Sequence, residues 1–281
     1  MALKTFSTAR DFFIKAETYL KQHIAEARIH YRVTVMNAAR EEQRTDQFFA
    51  ANVENGDVVG NAVCTPPWKG LLSGIWGDCM EELVRSVHGF SPFMPGIMGP
   101  PSEAVQFANS WCDLTDTHPT QGVSETWYAL EAVTMPRETP GAMVTASEAD
   151  LDLVISWLKA FWAEAGLHDA LDAQAHGERA VALGLFHLWC VDGKPVAMAG
   201  HSGPIGDLVS IGPVYTSPDH RRHGYGANLV AHLSKHFLDS GVPCCGLGAD
   251  RENPNSNRIY QRMGYYEVAQ MEEIRFIGPL D

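Results

Sequence analysis

Seven consecutive residues, Arg221, Arg222, His223, Gly224, Tyr225, Gly226 and Ala227, have the composition of an anion-binding turn. Glycines at alternate positions let main chain approach a ligand without interference from a Cβ. The apolar spacing of Leu229, Val230, Leu233 and Phe237 predicts a helix from about residue 224. Amides in the first turn of a helix have no acceptor within it, so they point at whatever lies there. Such a start favours an anion by about 0.3–1 kcal/mol per charge, and more when partly buried. The arginines and the neighbouring histidines add positive character to a chain of formal net charge −13. This is the chemistry of a diphosphate cradle. It is not a Walker loop, because no Gly-Lys-Ser/Thr follows. Nor is it a dinucleotide fingerprint, because the strands expected before it form antiparallel hairpins.

Other polar groups lie downstream and upstream. Asn253 precedes Pro254 and suits the cap of a helix. Tyr260 falls in the middle of that amphipathic helix, where a tyrosine ordinarily belongs to a core. His201 and Asp207 flank a turn between two strands and are titratable groups able to take a proton, although polar residues at loop tips are common. No cysteine pair has the spacing of a disulfide framework, and no cluster of histidine and cysteine has ligand spacing, so no metal is expected.

The elements that must hold these groups fall into two halves of similar order. Residues 136–141 (PRETPG) read as a linker, giving domains at 1–138 and 139–281. In the second half a strand is expected at 142–144, a capping box at Thr145 and Glu148, and helices at 151–167 and 168–180. Strands follow at 185–191, 195–201 and 207–216, the first two joined at Asp192-Gly193. After the helix from 224 come a strand at 244–249, a helix at 254–263 and a strand at 265–276. The first half repeats this more faintly. It has a helix at 8–27, a helix or strand to about 40, and a hairpin at 47–64 around Asn55-Gly56. A strand at 71–76, helix at 79–88, strand at 93–98, helix at 102–111 and strand at 126–134 complete it.

With the order of elements in place, residues 141–281 resemble the GNAT acetyltransferase superfamily. Its phosphate loop, [QR]-x-x-G-x-[GA], matches Arg221, Gly224 and Gly226. Its following segment matches Asn253, Ser256, Tyr260, Gly264 and Tyr265. The resemblance implies two tandem GNAT-like α/β domains, each a mixed, mostly antiparallel sheet flanked by helices, the first one degenerate. It implies acetyl-CoA (coenzyme A) as co-substrate, without a metal. The strand around Val214 and Tyr215 would pair with the pantetheine arm, and the amides of Arg222, His223, Gly224, Tyr225, Gly226 and Ala227 would hold the diphosphate. Asn253 and Ser256 would contact the coenzyme, and Tyr260 would protonate the leaving sulfur. The implied reaction is direct attack of an amine, on a small molecule or peptide, upon the thioester. A longer acyl chain, as in glycine N-acyltransferase-like relatives, and a non-catalytic acyl-CoA sensor are the alternatives.

The first half has no such loop. Where one belongs, the chain reads Trp68-Lys-Gly70-Leu-Leu-Ser-Gly74-Ile-Trp76-Gly77, without the basic residue or the glycine spacing. Coenzyme binding is expected to be lost there, and Trp68, Trp76 and Trp111 are either pocket-lining or core. Hydrophobic residues at 45% and charged ones at 20% describe an ordinary globular chain. The acidic balance argues against nucleic acid and anionic membranes as partners. The first twenty residues mix charges with apolar side chains, unlike a signal peptide or a membrane span, and a reducing cytoplasm is the expected setting.

Overall fold

The computed structural model describes residues 1–42, 44–166 and 172–278. In chain order the elements are β1 (Ala2–Phe6), α1 (Ala9–Gln22), α2 (Arg28–Ala38), β2 (Phe48–Glu54), β3 (Asp57–Cys64), β4 (Gly70–Gly74), α3 (Met80–Phe90), β5 (Gly96–Gly99), α4 (Pro101–Thr115) and β6 (His118–Leu130). They continue as β7 (Ala142–Thr145), α5 (Leu151–Glu164), α6 (Ala173–Ala182), β8 (Phe186–Val191), β9 (Lys194–His201), β10 (Leu208–Thr216), α7 (Tyr225–Asp239), β11 (Cys244–Asp250), α8 (Pro254–Arg262) and β12 (Tyr266–Ile277).

Two compact units form. One is Met1–Trp127 with Asp250–Glu252 and Val268–Asp281, and the other is Tyr128–Ala249 with Asn253–Glu267. The first unit orders the strands β1-β2-β3-β4-β5-β12, and the second β11-β10-β9-β8-β7. Pairs β4–β5 and β10–β11 are parallel, and β1–β2, β2–β3, β3–β4, β5–β12, β7–β8, β8–β9 and β9–β10 are antiparallel. A division by sequence at 138/139 and a division by contacts therefore differ. Residues 128–138 build the second unit, and most of the final strand of the chain builds the first. The reason is burial: Met271 and Ile274 of β12 are core residues of the first unit.

Local chemistry explains the elements. Both hairpin turns have positive φ at each central residue, Asn55 at 52° with Gly56 at 94°, and Asp192 at 49° with Gly193 at 74°. That conformation carries the twist of the flanking strands, and Asn, Asp and Gly tolerate it. The capping box sits two residues later than the spacing at Thr145 and Glu148 implied. Ser147 and Asp150 satisfy each other's backbone amides, while Thr145 is the last residue of β7 and pairs with His187. Residues 167–171, expected to end one helix and begin the next, lie outside the described residues. β6 starts at His118 rather than at 126, through a polar stretch (HPTQGVSE) that has no apolar alternation to announce a strand. β1 is an additional strand ahead of the first helix, and the ambiguous stretch to residue 40 is helical.

Cores lie on the sheet faces of each unit. In the first, Trp76, Phe107 and Trp111 pack with α3 and α4, whereas Trp68 stays 44% exposed. In the second, Leu229, Val230, Leu233 and Phe237 of α7 cover one face, and Val154, Trp157 and Leu158 of α5 cover the other. No described helix is long and apolar enough to cross a membrane. No group of three His, Cys, Asp or Glu able to hold a metal ion occurs among the described residues.

Two buried histidines make the fold acid-sensitive. Burial pushes His30 down to about 4, against the pull of the nearby carbonyls of Leu71 and Leu72. Burial also takes His187 to about 4, assisted by His201 and His236. The unfolded chain protonates these rings first, near 6.5. Their contribution is therefore intact above pH 6.5 and lost as the pH falls toward 4. The gap is worth about 3 kcal/mol per ring. Urea midpoints measured at pH 7 and pH 4.5 should fall sharply at the lower pH, and His30→Asn should flatten the drop. An unchanged midpoint would contradict the assignment.

Candidate active site

In the second unit β10 and β11 run side by side for only three residues, Leu208, Val209 and Ser210 against Cys244, Cys245 and Gly246. Beyond Ser210, among the described residues, β10 keeps only its antiparallel partner β9, with a register shift between Ile211 and Val214. Gly200 of β9 admits this bulge, since a Cβ there would lie 2.9 Å from the Gly212 carbonyl oxygen and 3.0 Å from Pro213 Cδ. The Ser217 amide donates to the Val196 carbonyl on β9 at 3.2 Å. Backbone groups alternate sides along a strand, so those of Tyr215 also face β9. The amides and carbonyls of Val214 and Thr216 face the opposite edge, which β11 has left. The chain thus presents a short, unpaired strand edge at Val214. Tyr215 contributes its side chain to the core instead, 5.8 Å from the Trp157 ring.

The glycine loop follows at the end of β10. Gly224, with φ 85°, is the N-cap of α7, and no side chain caps this helix. Its first helical hydrogen bond runs from the Asn228 amide to the Gly224 carbonyl at 3.0 Å. Among the described residues, the amides of Arg222, His223, Gly224, Tyr225, Gly226 and Ala227 meet no acceptor. Arg222 is itself left-handed, with φ 65°. Gly226 brings the helix against β10, because a Cβ there would lie 2.8 Å from Thr216 Oγ1. His223 stacks on Tyr225 with ring centroids 5.6 Å apart.

Arg221 is engaged elsewhere. Its Nη2 donates to both carboxylate oxygens of Glu164 at 2.7 and 2.9 Å, and its Nε to the Thr216 carbonyl at 2.9 Å. The Glu164 hydrogen bonds raise its pKa further. Its guanidinium therefore ties the loop to the last turn of α5. Nothing in the motif spacing singled out Glu164, which lies far away in sequence.

Asn253 caps α8 by accepting the Ser256 amide at 3.1 Å, so its side-chain oxygen is already used by the helix. Tyr260 lies partly buried against the same core cluster as Val214 and Tyr225. Its ring meets Tyr128 and Tyr265 at 6.5 and 5.9 Å. Tyr128 and Tyr265 spend their hydroxyls on Asn257 and Ser234, whereas the Tyr260 hydroxyl has no partner among the described residues. Desolvation pushes this phenol up to about 12, which keeps it protonated at neutral pH.

His201 is not at this site. It packs on Phe237 near the far end of α7, with ring centroids 4.7 Å apart, and its Nδ1 lies 2.7 Å from the Ser202 carbonyl. Asp207 stands in the exposed turn before β10.

Residues 151–265 match the model of the Acetyltransferase (GNAT) family. These residues are a GNAT acetyltransferase domain. The family is one of acyl-CoA-dependent N-acetyltransferases. Solved structures are similar over nearly the whole chain. A GNAT-family acetyltransferase from Colwellia psychrerythraea is 13% identical, with 99% of this chain and 100% of that one covered, at a TM-score of 0.57. A Drosophila protein is 13% identical, with 98% of each chain covered, at 0.68. A tandem GNAT protein from the clavulanic acid biosynthesis pathway is 12% identical, with both chains fully covered, at 0.51. At such identities the likeness is one of fold: two GNAT-like folds in tandem. No curated protein matches the chain in sequence.

In the first unit the turn after the corresponding strand is tied to its own neighbours. After β4, the Trp76 amide donates to the Glu103 carboxylate at 3.2 Å, and the Asn52 carboxamide donates to the Ile75 carbonyl at 2.8 Å. The Trp76 side chain is fully buried.

Proposed function

We propose that the second unit transfers an acetyl group from acetyl-CoA to an amine of a small molecule or peptide. The observation that carries this reading is the row of acceptor-free amides from Arg222 to Ala227 beside the free edge of β10. The amides suit a diphosphate, and the edge suits the amide-bearing pantetheine arm as an added strand. Val214 then offers its N–H to the thioester carbonyl, and its value rises as negative charge develops on that oxygen.

The chemistry balances as follows. The deprotonated amine forms a C–N bond to the acyl carbon, and the C–S bond breaks with its electron pair going to sulfur. The nitrogen loses one proton and the sulfur gains one. Tyr260, which stays protonated at neutral pH, is the donor assigned to the sulfur. A phenol at about 12 is a weaker acid than a thiol, so its proton moves together with the proton released from nitrogen. Asn253 and Ser256 hold the start of α8 beside the coenzyme and contact it there, and Arg221 fixes the loop. The first unit, which lacks the basic residue and the glycine spacing and whose Trp76 amide is taken by Glu103, does not bind coenzyme.

A screen of amines with acetyl-CoA, reading free thiol, tests this. Thiol release dependent on both substrates is expected. Titration of CoA by calorimetry should show one site per chain, and no heat of binding would refute the reading. Octanoyl-CoA in place of acetyl-CoA distinguishes a preference for longer acyl chains.

A further inference from the structure

We propose that Arg137 recognises the 3′-phosphate of the coenzyme, an inference that rests on the coenzyme site proposed above. The segment before β7 is pinned at three points, by the end of α8, by α7 and by β8. The Thr134 amide donates to the Met263 carbonyl at 2.8 Å, Asn228 Nδ2 donates to the Arg137 carbonyl at 3.0 Å, and Trp189 Nε1 donates to the Pro140 carbonyl at 2.9 Å. Asn228 also donates to the Gly224 carbonyl at 3.0 Å, so its buried carboxamide brackets this segment to the phosphate loop. With both oxygens 3.0 Å from one nitrogen, the Arg137 and Gly224 carbonyls are no more than about 6 Å apart. Thr139 closes the same contact, its Cγ2 standing 3.2 Å from where a Cβ on Gly224 would be. Arg137 is therefore anchored by its backbone within a side-chain length of the helix start.

The two sides of that helix start differ. Gly226 faces Thr216 and the free edge of β10, whereas Gly224 and Asn228 face the pinned segment. A coenzyme whose pantetheine arm lies along β10 and whose diphosphate sits on the loop amides sends its nucleotide out on the other side. A phosphate monoester carries close to two charges at neutral pH. Loop amides already serve the diphosphate, and Arg221 is committed to Glu164. Arg137 is exposed, and no carboxylate among the described residues pairs with it, in a chain of net charge −13. A guanidinium offers a bidentate fork matched to phosphate oxygens.

Calorimetry on the full chain with CoA and with 3′-dephospho-CoA tests the assignment, using the wild type, Arg137→Gln and Arg222→Gln. The wild type should bind CoA about 10-fold more tightly than the dephospho form, as expected for a hydrogen-bonded charge pair. Arg137→Gln should abolish most of that preference by weakening CoA alone, leaving affinity for 3′-dephospho-CoA unchanged, and Arg222→Gln should preserve it. The proposal fails if the wild type binds the two ligands equally, if Arg137→Gln keeps the preference, or if Arg222→Gln removes it. Absence of binding by either ligand would instead overturn the coenzyme site itself.

Discussion

Tyr260→Phe is expected to lower kcat by about 100- to 10,000-fold, the usual worth of a positioned general acid. The dissociation constant for CoA should stay within about threefold, which is under 1 kcal/mol. The substitution removes one oxygen and nothing else of the packing. The ring keeps its contacts with Tyr128 and Tyr265 and its place against the core of the second unit. Because the hydroxyl bonds to no described residue, no protein partner is stranded when it goes. A merely structural tyrosine in that setting would lose little. Single-turnover acyl transfer, read beside CoA affinity, separates these cases: a slow step with normal binding supports the assignment, and equal rates remove Tyr260 from the chemistry.

Gly224→Val should weaken CoA binding by at least about 30-fold, with the fold retained. At φ 85° a β-branched residue is in a conformation that costs on the order of 1–3 kcal/mol. Its Cβ would also press on Thr139 Cγ2 at 3.2 Å. The loop relieves both by turning its amides away from their common focus, and the diphosphate loses several donors together. Gly226→Ala should be milder, since its one close neighbour is the hydroxyl of Thr216 at 2.8 Å, a side-chain atom that can rotate. Calorimetry with CoA, paired with circular dichroism, checks the order. Valine at 224 with undiminished affinity would mean that these amides do not hold the coenzyme.

Much of the site was legible because local features fix it. The hairpin turns at Asn55-Gly56 and Asp192-Gly193 require positive φ, and their residues advertise it. Helix α7 begins at Tyr225, directly after Gly224, as the apolar spacing of Leu229, Val230, Leu233 and Phe237 implied. Other features had no local signature. The start of β6 carries no such signal, because its first residues are polar and exposed, and their pairing, not their side chains, makes them a strand. Arg221 fits the phosphate-loop pattern, and only the fold shows that its guanidinium is held by a carboxylate 57 positions earlier.

By itself, the sequence determined that a glycine turn feeds a helix, that Asn253 and Tyr260 follow on the next one, and that the earlier half lacks such a turn. These are properties of neighbouring residues, set by backbone sterics and helical periodicity. Tertiary structure decided which strands complete each unit, where β10 parts from β11, and that Glu164, Asn228 and Arg137 border the loop. Those outcomes depend on burial and on hydrogen bonds between segments distant in the chain, and no window of sequence contains both partners.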